Sequence, residues 1–357
     1  MDSSANIFVG KILTAAAKRK AMTIHLSVNS YPAFRVDDAL VELRDEQIVT
    51  SSLIKSLADD WLEPEQKEIL ERERTIIFTK EVGKKFRLKI TFFFQKGFLS
   101  ANLRLIPERI PLLINLGLPK SVYGLTDKTS GLIIVAGPYG SGRTTTTASM
   151  VEEINKSRAE NIVTIEKPIE YIYTNQQSII EQREVGKDTL SFANALRSAQ
   201  QADVDAVSVE VNQEPEVIPL VLEFANSGRL AFFNMDTTSV VQTIEEIFAA
   251  FKGDDKQRAQ LLLSESLLAI IVQRLVPRTG GGLVLATEVL IATQAVRSLI
   301  SQGRIKQLDT ILQSSRAEGM LSLDQSLAEL VKSGQVLIDK AIEYAIDPES
   351  FRAMAKS

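Results

Sequence analysis

The sequence predicts an α/β protein built from two domains, and three observations carry that expectation. Residues 131–150, GLIIVAGPYGSGRTTTTASM, pass from an apolar run through a glycine-rich turn into a stretch of hydroxyl residues that opens a helix. From Gly131 onward strand-like runs alternate with helical ones, the signature of a mostly parallel sheet covered on both faces. Earlier, Phe86, Leu88, Ile90, Phe92 and Phe94 alternate with Arg87, Lys89 and Thr91, which is a strand with one packed face.

The elements follow in order. A helix over 5–17 carries Ile7, Leu13 and Ala17 and ends among Lys18, Arg19 and Lys20, cations suited to a helix C-terminus. Strands are expected at 23–28 and 33–36, with His25 as a partly buried strand residue. A helical pair covers 51–70 and is broken at Glu63-Pro64, because the residue before a proline is biased away from helical geometry. Strands 75–79 and 86–94 flank Gly83 as a hairpin, and a strand over 99–106 closes at Pro107. These make a first domain, 1–107, followed by a connection, 108–130. The second domain, 131–292, has candidate strands at 131–136, 161–166, 206–211 and 230–235, a helix over 144–154, a helical region over 254–275 and a last strand over 283–291. A helical region, 293–357, completes the chain.

Composition narrows the function classes. With 357 residues, 45% of them hydrophobic and 24% charged, the chain can bury the cores of two soluble domains. No apolar run approaches the roughly 20 residues of a membrane-spanning helix, and the start MDSSANIF lacks the basic and apolar regions of a signal peptide, so a cytoplasmic protein is expected. The absence of cysteine removes disulfides, thiolate metal sites and cysteine nucleophiles. A single histidine excludes any mechanism that needs two imidazoles in one subunit. A net charge of −4 argues against a broadly basic nucleic-acid surface.

The most specific signal is the glycine-rich turn, which matches the phosphate-cradling pattern G-x-x-x-x-G-K-[ST] with one letter changed. Gly137 and Gly142 let backbone N–H groups turn onto a polyphosphate, and Thr144 stands where a hydroxyl holds Mg²⁺. The candidate nucleotide-binding residues are Gly137, Pro138, Tyr139, Gly140, Ser141, Gly142, Arg143, Thr144 and Thr145. Arg143 replaces the lysine. It keeps the charge but exchanges a compact ammonium for a planar fork. The plainer alternative is that Arg143 is a surface charge on the first helical turn.

Further segments make the resemblance specific. TIEKPIEYI (164–172), QREVGKDTLSFANALRSA (182–199), SESL (264–267), QRLVP (273–277), AVRSLI (295–300), IHLSVNSYPAFRVD (24–37) and LDQSLAELVKSG (323–334) resemble the secretion ATPases of the type IV pilus retraction branch, the PilT-like family, over nearly the whole chain. The resemblance implies an N-terminal PAS-like α+β domain, a RecA-like P-loop NTPase domain, a helical C-terminal tail, and a homohexameric ring that binds ATP between the domains of neighbouring subunits. It assigns Glu166 and Glu170 of the acidic box as catalytic candidates, and Arg87 and Arg104 as residues that reach a neighbour's phosphates. The chain departs from the family pattern where the chemistry lies. Lys167 replaces the central Asp of the acidic box, Val211 occupies the acidic position of Walker B with Glu210 one residue early, Gln213 stands at the following arginine, and Arg229 and Asp236 align with the two family histidines. Lys89 replaces one N-terminal arginine, and Gly97 lies near another. Because successive strand side chains face opposite ways, the offset is expected to aim Glu210 away from a metal.

Taken with these departures, the resemblance implies an ATP-binding ring subunit with weak or absent hydrolysis, its use of Mg²⁺ open. It would be a homo-oligomer, or a member of a mixed ring with an active paralogue, serving the inner-membrane pilus platform from the cytoplasmic side. Two rivals stand beside it. One is a slow ATPase that powers retraction through Glu166, Thr144 and trans arginines; the other is a scaffold that needs no nucleotide.

Overall fold

In the computed structural model, which describes residues 4–37, 39–83, 85–210, 214–251 and 253–356, the chain separates into two units, Met1–Arg109 and Ile110–Ser357. The first contains α1 (Ser4–Lys18), β1 (Thr23–Leu26), β2 (Ala33–Val36), β3 (Ala39–Glu42), α2 (Ser51–Trp61), α3 (Pro64–Glu73), β4 (Thr75–Val82), β5 (Phe86–Gln95) and β6 (Phe98–Ile106). Its strands form one antiparallel sheet in the order β3-β2-β1-β6-β5-β4. Val9, Ile12, Ile54, Leu57 and Trp61 from the helices close over Ile24, Leu88, Ile90, Phe92 and Leu103, so alternation along β5 divides the sheet as expected. Phe78 and Phe92 stack across the neighbouring strands with centroids 6.0 Å apart. Thr50 accepts a hydrogen bond from the Leu53 amide to start α2, and Pro64 occupies the first turn of α3, where its missing N–H costs nothing. His25 bonds through Nδ1 to Asn102 Oδ1 at 2.9 Å and takes the structural role expected of it. β3 has no counterpart in the sequence reading, because all four of its residues are exposed and none carries a burial pattern.

The second unit opens with α4 (Lys120–Tyr123), β7 (Gly131–Ala136), α5 (Arg143–Ser157), β8 (Asn161–Glu166), β9 (Ile179–Glu184), α6 (Phe192–Gln201), β10 (Ala206–Glu210), α7 (Val217–Asn226) and β11 (Leu230–Met235). It continues through α8 (Val240–Ala249), α9 (Lys256–Ser266), β12 (Leu267–Pro277), β13 (Leu283–Ile291), α10 (Gln294–Ser301), α11 (Leu308–Ser314), α12 (Leu323–Lys332), α13 (Ile338–Ala341) and α14 (Pro348–Lys356). The sheet has seven strands in the order β13-β12-β7-β11-β10-β8-β9, parallel except for the β12–β13 pair. Apolar clusters cover both faces, one containing Ile134, Val163, Val207 and Phe233, the other Ile133, Ile162, Ala206 and Phe232 with Met150, Val151 and Ile154 of α5.

Two expectations change here. The stretch 254–275 divides at Leu267, where α9 ends and β12 begins. The run LLAIIV is buried on both faces between β7 and β13, and periodicity cannot tell such a run from a buried helix. The stretch 108–130, read as a connection, contributes Leu113, Leu118, Val122 and Leu125 to the core beneath α5. Among the described residues no helix is long and apolar enough to cross a membrane.

Candidate functional site

The parallel strands β7, β8, β10 and β11 end along one edge of the sheet, the edge at which open α/β sheets take their ligands. There β7 gives way to the turn Gly137–Gly142, and α5 begins at Arg143. Gly137 has φ +150°, and a Cβ at that position would meet the Gln273 carbonyl oxygen at 2.6 Å, so the loop requires glycine there. Gly142, at φ +93°, is the N-cap of α5 and turns the first-turn N–H groups of that helix free of the loop.

The hydroxyl run that follows is held turn by turn. Thr145 bonds to the Tyr171 hydroxyl at 3.1 Å, Gln273 Nε2 donates to Thr146 at 2.7 Å, and Thr147 donates to Asn234 at 2.7 Å. Ser149 donates to the carbonyl oxygens of Pro111 and Thr145. Thr144 differs from these, since among the described residues its hydroxyl has no protein partner. That unspent oxygen fits the role of a Mg²⁺ ligand at a phosphate site. Among the described residues no group of three or more His, Asp or Glu side chains could hold a metal alone, so a cation here would need nucleotide oxygens as well.

Arg143 does not extend into solvent as a surface charge would. It forms an ion pair with Asp236, the residue after β11, and its Nη1 is buried without a hydrogen-bond partner. Further along the same edge, Glu166 ends β8 and is buried, accepting hydrogen bonds from Thr164 Oγ1 at 2.7 Å, Gln182 Nε2 at 3.3 Å and the Glu170 amide at 3.4 Å. Burial pushes its carboxyl up to about 7, the Glu170 charge adds to the rise, and the hydrogen bonds oppose it. A carboxyl that titrates near neutrality is suited to exchanging a proton with water. Glu170 is also buried, whereas Lys167 is exposed.

Glu210 overturns the expectation set for it. β10 is phased by Ala206, which packs under α5, so Ser208 and Glu210 share the α5 face. Glu210 pairs in register with Asn234, the residue that Thr147 of α5 reaches, and across β8 the register aligns Ser208 with Thr164, two residues before Glu166. The Glu210 charge, with that of Glu166, raises the Tyr173 phenol further above its usual value, after burial as the main cause. Glu210 therefore turns towards the phosphate-loop helix. Val211 and Gln213 lie outside the described residues.

With this geometry in place, comparison with known proteins is decisive. A sequence profile for type II/IV secretion system proteins matches residues 2–318. The chain belongs to that family. Within it the chain is PilT-like. It is 34% identical over 348 residues to the type IV pilus retraction ATPase PilT of Pseudomonas aeruginosa, covering 96% of this chain and 99% of that one. It is 35% identical over 312 residues to a twitching motility protein of Neisseria gonorrhoeae, covering 87% and 82%. A crystal structure of the pilus retraction motor PilT with bound ADP superposes with a TM-score of 0.83 at 35% identity, over 96% of this chain and 98% of that one. The architecture of this secretion-family member is accordingly an N-terminal domain, a RecA-like ATPase domain and C-terminal helices.

For this family member, the second unit brings together Gly137 to Thr145, Glu166 and Glu170 at one edge. Arg87 and Arg104 lie in the first unit on β5 and β6, on the sheet face opposite its helices. Arg87 bonds to Thr79 Oγ1 at 3.3 Å and pairs with Glu81 at 3.5 Å. Sequence reasoning missed two contributors, Tyr171 and Gln273, which anchor α5; the only signal for them was their place inside the matched segments TIEKPIEYI and QRLVP.

Proposed function

We propose that this chain is a nucleotide-binding subunit of a type IV pilus retraction motor, with hydrolysis weak or absent. The observation that carries the reading is the formed phosphate turn, with Gly137 fixed by its close approach to Gln273 and α5 presenting free first-turn amides and a free Thr144 hydroxyl. Binding of ATP rests mainly on those amides, so it survives the exchange of lysine for Arg143. Turnover is compromised because the planar, forked guanidinium of Arg143 does not reproduce the compact point charge that a lysine places on the β- and γ-phosphates. In this reading Thr144 holds Mg²⁺, which when bound neutralises charge on the phosphates. The subunit works in a hexameric ring, of its own copies or mixed with an active paralogue, where Arg87 and Arg104 approach a neighbour's nucleotide. It acts at the inner-membrane pilus platform from the cytoplasm.

One observation favours the second reading, a slow motor ATPase. Glu166 has a carboxyl pushed to about 7 and Glu210 faces the same helix, so two carboxylates remain where water and metal would be handled. Equilibrium binding of a labelled ATP analogue, with and without Mg²⁺, alongside ATP turnover separates the two. Binding with turnover below about 0.01 per second, far under ordinary enzymatic rates, is the expected result. Faster turnover that Glu166→Gln abolishes would establish the second reading, and absence of binding would leave a scaffold.

A further inference from the structure

Asp236 is the residue of this edge for which the proposed function has found no use. It lies immediately beyond β11, where the strand delivers its C-terminal residue to the phosphate loop. Its carboxylate pairs with the Arg143 guanidinium, whose side chain keeps 13% of its exposure against 30% for Asp236. The carboxylate is thus the better hydrated partner and the cheaper one to release, while the arginine stays largely enclosed. A guanidinium drawn out of water needs acceptors for its donors. Arg143 Nη1 remains a buried donor without a partner, so the single carboxylate does not satisfy the fork. A phosphate group offers more acceptor oxygens and more charge than one carboxylate and can engage a guanidinium through two parallel hydrogen bonds.

We infer that Asp236 is a built-in competitor for the phosphate subsite: it neutralises Arg143 while the loop is empty, and a polyphosphate binds by displacing it. This rests on the nucleotide-binding reading of the same loop. The exchange costs the bound state one ion pair before the phosphate gains its own, so affinity is set below what the loop and helix would otherwise deliver. The displaced carboxylate then stands near the phosphates as a like charge, a second penalty on the bound state. The same contact admits an opposite role, in which Asp236 merely holds the guanidinium in a productive pose for phosphate. The two roles differ in sign.

Asp236→Asn keeps the shape of the side chain and removes its charge. Equilibrium titration of the full chain with a fluorescent ATP analogue, and with tripolyphosphate as competitor, is expected to give at least tenfold tighter binding for D236N than for the unmodified chain. In an Arg143→Gln background the same change is expected to give a much smaller gain, the part owed to like-charge repulsion, because there is no longer a guanidinium to release. Thermal melting of each variant separates loss of fold from loss of binding. Equal or weaker binding by folded D236N overturns the competitor role and favours the positioning one. A tenfold gain that persists in R143Q also overturns it, since repulsion alone would then suffice. If neither nucleotide nor tripolyphosphate binds any folded variant, the nucleotide reading and this inference fall together; if the unmodified chain binds and D236N is no better, only this inference does.

Discussion

Arg143 and Arg297 are both drawn partly out of solvent in the second unit, and they are provided for in opposite ways. Arg297, on α10, donates to the carbonyl oxygens of Ser264 at 2.6 Å, Glu265 at 2.7 Å, Leu267 at 2.7 Å and Ala292 at 3.1 Å. It thereby satisfies the acceptors that α9 leaves at its C-terminal end, where a cation also suits the helix dipole. Arg143 has one carboxylate and an idle buried Nη1. A guanidinium whose three nitrogens all bond backbone carbonyls belongs to the frame, whereas Arg143 keeps a buried donor unspent beside the glycine-rich turn. The difference separates the scaffold of the second unit from its candidate site.

The largest effect expected from that comparison is on stability. Arg297→Ala strands three carbonyl oxygens at the end of α9 and that of Ala292 after β13, and with each charged hydrogen bond contributing about 1.5–3 kcal/mol before relaxation, a loss of about 4 kcal/mol or more is expected. Arg143→Ala should cost under about 1 kcal/mol, because it removes a single partly exposed pair. Chemical denaturation of both variants tests this. Equal losses would erase the distinction, and a larger loss for Arg143→Ala would invert it.

A smaller effect sharpens the comparison within the phosphate loop itself. At Gly137 an alanine Cβ would run into the Gln273 carbonyl and the Ser141 side chain, which are held by β12 and the loop, so Gly137→Ala should cost about 2–3 kcal/mol and abolish nucleotide binding. At Gly140 nothing lies within 4 Å, and its φ of +80° leaves only the left-handed backbone penalty of about 1–2 kcal/mol. Melting curves and analogue titrations on the two variants should rank in that order. Gly140→Ala costing as much as Gly137→Ala would mean that backbone conformation, rather than the approach of β12, fixes the loop.

Much of this was legible in the sequence, for identifiable reasons. The turn at 137–142 announced itself because glycines, an apolar strand and a capping position coincide within a few residues. The β5 hairpin was legible through its period-2 alternation. β12 was not, since a strand buried on both faces has no alternation to read. The partnership of Arg143 with Asp236 was invisible because the two residues are far apart in sequence and only the parallel pairing of β7 with β11 brings their strand ends together. Glu210 was misread for a related cause. Its orientation depends on the phase of β10, which is fixed by Ala206 packing beneath α5 rather than by distance from the motif.

Two buried glutamates, Glu166 closing β8 and Glu288 on β13, carry the comparison to pH. Glu166 at the site and Glu288 on β13 both have carboxyls pushed up to about 7, in each case first by burial. Glu288 has a fixed structural partner, the Val240 amide at the start of α8, at 2.6 Å. A carboxyl whose pKa is raised by folding binds more protons in the native state than in the unfolded chain between about 4.5 and about 7. Native stability should therefore be greatest below that window and fall as pH rises through it. Glu166→Gln cannot ionise and retains an acceptor for Thr164, so its stability should fall less steeply, with a difference of up to about 3 kcal/mol accumulated across the window. The Glu288 contribution remains in that variant and keeps the slope from vanishing. Denaturant midpoints at several pH values supply the measurement. Parallel curves for the two proteins would mean that Glu166 is as accessible to water as an ordinary surface carboxylate, and its case as a proton-exchanging group would end there.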